Sequence, residues 1–136
     1  MIKRLLLGVL ILWGSYSQAA SLLTDLNTLD KETLTAEFLA LNCLMVAQKS
    51  KLITTDCRQA NRLVVYIDKQ LVTLIDYLTK DGADLGNDFY VAMSKIKQYR
   101  TRLQKVNNNL NLVKKITGIY NWTDKLAPSY YQYKKE

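Results

Sequence analysis

The sequence has no histidine. That removes the commonest general base, the commonest metal ligand and the usual axial ligand of a haem held between helices. Its only cysteines are Cys43 and Cys57, and two distant thiols with scattered carboxylates do not supply the four donors of a zinc site. No glycine-rich phosphate loop is present. Acidic residues are missing from the whole stretch Phe89 to Val113, which nevertheless carries Lys95, Lys97, Arg100, Arg102 and Lys105. The apolar run Leu5 to Trp13 is about ten residues long, whereas a membrane-spanning helix needs roughly 20. Together these absences argue against an enzyme, a resident metal or a cofactor.

Three partial motifs do not change that reading. Ser94-Lys95-Ile96-Lys97 satisfies the Ser-x-x-Lys nucleophile pattern, but its companion motifs are missing, because Lys115-Ile116-Thr117-Gly118 has one residue too many for Lys-Thr-Gly. Glu32 and Glu37 lie five apart and Asp68 and Asp76 eight apart, so neither pair makes an acid–base couple, and all four are expected on solvated helix surface. Asn121-Trp122-Thr123 is a glycosylation sequon, meaningful only in a eukaryotic secretory protein.

The N-terminus reads as an address. Met1 to Arg4 is a short basic region, Leu5 to Trp13 is apolar, and Ser17-Gln18-Ala19 places small residues at −3 and −1 of a cleavage site. Residues 1–19 are therefore expected to be removed as a signal peptide, for export to the periplasm or beyond. The first residue after the cleavage point is Ala20 rather than cysteine, so a lipid-anchored lipoprotein is not expected. Loss of Lys3 and Arg4 takes the formal charge of +7 to +5. The surplus belongs to one half: Asn87 to Glu136 holds ten basic and three acidic residues, Ala20 to Asp56 three basic and five acidic.

What remains is one small domain over 20–127 and a Tyr- and Lys-rich tail over 128–136, expected to be mobile. The strongest signal is in Phe89, Ala92, Ile96, Tyr99, Leu103, Val106, Leu110 and Val113, where gaps of three and four alternate without a break. That is the spacing of a long helix with one apolar seam. The helix is expected to be capped by Asn87 or Asp88 and to end near Thr117, before Gly118. A second helix carries Ala60, Val64, Ile67, Leu71, Leu74 and Leu78, starts at a capping box of Asp56 and Gln59, and stops at Gly82 taken as left-handed. Before it, Leu34, Phe38, Leu41 and Met45 set the seam of a first helix ending near Lys49. Asp30 to Thr33 interrupts that pattern, so a reach back to Leu22 stays open. The fold class is all-α, a small antiparallel three-helix bundle running up, down and up.

Cys43 and Cys57 fall near the end of the first helix and in the first turn of the second. In an exported chain the pair is expected to form a disulfide that staples this hairpin. A closed loop of about 15 residues implies roughly 3 kcal/mol of stabilisation. Asn107, Asn108, Asn109 and Asn111 sit inside the third helix although Asn is a poor helix former. They read either as compositional bias or as a polar recognition surface.

The functional expectation is a periplasmic or secreted binding protein without catalytic activity. Its basic third helix would meet an acidic protein partner through Lys95, Lys97, Arg100, Arg102 and Lys105, with Tyr120 and Trp122 adding contact area. An inhibitor or immunity-type antagonist and an adaptor of an envelope or secretion apparatus fit this description. Trp122 has a competing role as a lid over the open end of the bundle. The alternative is a peripheral envelope protein binding anionic lipid or lipopolysaccharide with the same cations. Self-pairing of the third-helix seam in a homodimer is a further option, and export makes nucleic acid the weakest partner class.

Overall fold

The structure, a computed structural model, describes residues 15–123, with side chains from Ser21 onward. It contains three helices, α1 (Ser15–Ser50), α2 (Thr55–Asp81) and α3 (Asn87–Thr117), with a 3-10 turn at Gly82–Leu85. There is no strand among the described residues. The expected leader lies mostly outside this range, and the tail 128–136 entirely so. The Cys43–Cys57 disulfide is formed, with Cα atoms 4.9 Å apart across the first hairpin. Such a bond fits an oxidising compartment. No described helix is long and apolar enough to cross a membrane.

Seven of the eight seam positions on α3 are buried, Ala92, Ile96, Tyr99, Leu103, Val106, Leu110 and Val113, and Phe89 packs against them at the edge. All six residues expected on the second seam are buried too. α1 departs from expectation. It runs without interruption through Asp30–Thr33, and its seam positions are Leu22, Leu26, Leu29, Thr33, Ala36, Ala40, Cys43 and Ala47, with Leu44 buried beside them. Those gaps alternate four and three from end to end.

Leu34, Phe38, Leu41 and Met45 therefore do not form the α1 seam. They are 48, 63, 49 and 48% exposed. The disulfide explains why. At 100° per residue, Leu41 and Met45 each stand 200° around the helix from Cys43, which must face α2. The frame containing Cys43 goes inside and the frame containing the larger leucines is left out. Small side chains then fill the core around the hairpin, where Ala36, Ala40, Cys43, Ala47, Cys57 and Ala60 all have zero exposure.

α1 contacts both other helices extensively, and α2 touches α3 least. Long-range bonds show that α1 and α3 run parallel. The Tyr99 hydroxyl donates to the Leu26 carbonyl at 2.8 Å, and one turn further along both helices Arg102 Nη1 donates to Asp30 Oδ1 at 2.7 Å. Arg102 also donates to Thr33 Oγ1 at 2.9 Å, while Thr33 donates to the Asp30 carbonyl at 3.0 Å. Within the stretch that breaks the apolar pattern, Asp30 and Thr33 thus form a polar contact with Arg102 inside a continuous helix.

The connections differ from expectation in their details. Lys51, at φ 57°, closes α1 with an N–H bond to the Ala47 carbonyl. The α2 cap is Thr54, not Asp56. Its N–H and hydroxyl lie 3.4 and 3.3 Å from Cys57 Sγ, a sulfur that only accepts because it is half of the disulfide. Starting at Thr55 brings Cys57 inward within the first turn. Gly82 is right-handed, at φ −71°, and is needed for another reason. A Cβ there would meet the Phe89 ring at 2.6 Å. The glycines at positive φ are Gly86, which caps α3 one residue before Asn87, and Gly118 just past Thr117, the latter in the left-handed helical conformation.

Candidate binding surface

The structure disperses the cations expected to act together. Arg100 is buried, at 8% exposure. Arg102 is turned onto α1, where its guanidinium bonds Asp30 and approaches Glu37 Oε1 at 3.7 Å. It also lies 5.7 Å from the centre of the Tyr99 ring. Lys105 reaches Glu37 Oε2 at 3.6 Å while staying largely in solvent. Lys95 is half-buried and Lys97 exposed. Arg102 therefore acts mainly inside the fold, fixing the register of α1 against α3. Burial, reinforced by the Asp30 carboxylate and partly offset by Arg102, pushes the Tyr99 phenol above its ordinary range.

Of the aromatic candidates, Tyr120 is exposed, whereas Trp122 joins the core and its indole N–H donates to the Ile119 carbonyl at 2.8 Å. The helix continues through the Asn cluster with Leu110 buried among them. The carboxylates are not uniformly solvated as expected. Asp76 pairs with Lys80 on the surface, but Asp68 is fully buried, and Glu32 and Glu37 are half-buried. An acid eight residues from its neighbour carries no sign of burial in sequence; Asp68 follows Ile67 on the inner side of α2. The α3 seam is consumed within the chain, so self-association would have to use another face.

That other face is on α1. Leu34, Phe38, Leu41 and Met45 form one outward stripe over about three turns. Single exposed apolar residues are ordinary on a protein surface, but a contiguous row of large ones marks a contact site. Exposed Lys31 lies near one end of the stripe and exposed Lys49 and Lys51 near the other, and the acid Asp30 beside it is paired with Arg102. The nearby acids are turned elsewhere, Glu37 onto Arg102 and Lys105 and Glu32 into a cleft toward α2. Sequence reading found these four residues and put them on the wrong side. The signal that places them is the Cys43 frame.

Compared with known protein families, with curated proteins and with solved structures, the chain has no significant match.

Proposed function

We propose that this chain is a small exported binding protein, without catalytic activity, that docks on another protein through the outward stripe of α1. The partner presents an amphipathic helix with an apolar seam and acidic flanks. The observation that carries this reading is the stripe itself. Its 4-3-4 spacing suits the seam of another helix; the acids beside it, Asp30 and Glu37, already face Arg102 and Lys105, so Lys31, Lys49 and Lys51 disfavour a cationic partner and draw in an acidic one. The cationic surface expected on α3 contributes Lys97 and the outer part of Lys105 rather than five side chains. Export rests on the basic and apolar N-terminus and agrees with the disulfide. Antagonist of an envelope enzyme and adaptor of a secretion apparatus remain the roles that suit such a device.

The test compares the protein, as the cell processes it, with a Phe38→Glu/Leu41→Glu variant. Both positions are solvent-facing, so the variant keeps its helical circular dichroism. An immobilised parent protein retains an envelope protein in low salt and releases it as salt rises, and the variant binds that protein at least about tenfold more weakly. Equal retention by the variant would remove the stripe from the function. Co-flotation of the parent with anionic liposomes would replace the protein partner by a lipid surface.

A further inference from the structure

A different face of the bundle holds an open cleft of about 430 Å³ between the N-terminal half of α1 and the C-terminal half of α2. That volume is in the range of small-molecule sites. Its apolar floor includes Leu29 and Leu74. The walls bring together Asp25 and Glu32 from α1 with Tyr66, Tyr77 and Asp81 from α2, and neither lysine nor arginine lines it. On a chain with a formal charge of +7, a cleft whose charged lining is entirely acidic stands against the overall field.

We propose that this cleft binds a linear organic polyamine, with ammonium groups held by Asp25, Glu32 and Asp81 and methylene segments laid between Tyr66 and Tyr77. The spacing favours that chemistry over a metal ion. Asp25 and Glu32 are seven residues apart on one edge of α1, about 10.5 Å along the axis at 1.5 Å per residue. A divalent cation requires carboxylate oxygens converging on one point, and no such group of ligands occurs among the described residues. Carboxylates strung along a trough instead match a ligand whose charges are separated by apolar spacers. The Tyr66 and Tyr77 rings suit both parts of it, since an aromatic ring attracts an ammonium and packs against methylenes.

The state of the groups in the cleft agrees. Burial pushes the carboxyls of Asp25 and Glu32 above their ordinary range, as expected where the wall supplies no cation to offset desolvation. Burial and the charges of Asp81 and Asp84 push the Tyr77 phenol upward.

Isothermal titration of the purified protein with spermidine tests the proposal. Saturable binding with Kd below about 1 mM is expected, falling by about tenfold or more in Asp25→Asn/Glu32→Gln. Tyr77→Leu, which keeps bulk and removes the ring, is expected to weaken it severalfold. Glu37→Gln, on the α3 side of α1, leaves it unchanged. Helical circular dichroism confirms that each variant is folded, and the tyrosine substitution carries the same test should the double variant unfold. Absence of saturable binding, equal affinity for magnesium, or undiminished binding by the folded variants would overturn the proposal.

Discussion

The two halves of α1 use leucine in opposite ways. From Leu22 to Leu29 the leucines at the seam positions are buried, and Tyr99 reaches across to the backbone of Leu26. From Leu34 to Met45 the large side chains of Leu34, Phe38, Leu41 and Met45 point outward, while alanines and Cys43, flanked by Leu44, occupy the core. Local hydrophobicity alone would bury both sets. The difference teaches that a helix seam is chosen globally, by a frame continuous over its whole length and fixed where a covalent bond pins it. A larger side chain in a rival frame cannot displace it, because turning that chain inward would swing Cys43 away from Cys57.

The sharpest way to separate the halves is truncation. Leu26→Ala removes a side chain only 1% exposed and is expected to cost about 2 to 5 kcal/mol in urea unfolding. Leu41→Ala, at 49% exposure, should stay within about 0.5 kcal/mol of the parent. A large loss at Leu41 would break the comparison. Next in size is the bond that selects the frame. Cys43→Ala/Cys57→Ala should lose roughly 3 kcal/mol, and the lost protection in hydrogen exchange should concentrate at the hairpin end. Ala40→Leu follows, forcing a leucine into the close-packed half at an expected cost of about 1 to 3 kcal/mol. Neutrality there would mean that the alanine layer is loose.

The smallest effect depends on pH. Burial raises the folded-state pKa of Asp25 and Glu32 above their unfolded values. In the window between the two values the native state holds more protons, so their contribution to stability falls as pH rises through it. Asp25→Asn/Glu32→Gln should therefore flatten that part of the stability profile and gain slightly on the parent at neutral pH. A profile unaffected by the pair would show that the cleft does not desolvate them.

Much of the architecture was legible because it is periodic. The α3 seam, the α2 seam and the stop at Gly118 all follow from residue spacing. Legibility failed where two frames coexisted. Leu34, Phe38, Leu41 and Met45 offered the stronger apolar signal, and only the requirement that Cys43 face α2 contradicts it. Arg102 shows a second kind of failure: its partners Asp30 and Glu37 lie about seventy residues away in sequence, so its charge looked available when it is engaged. The cleft shows a third. A carboxylate such as Glu32, on a helix, reads as solvated surface until a second helix stands opposite it.

The parallel course of α1 and α3 has an electrostatic consequence. Two helices present their C-terminal ends at the hairpin end and only one begins there, so the backbone dipoles leave a net excess of about half a negative charge. Lys49, Lys114 and Lys115 occupy the last turns of those two helices. Part of the positive charge of this basic chain is therefore already answered by its own main chain, and the field felt by an approaching partner is weaker at that end than a count of lysines implies.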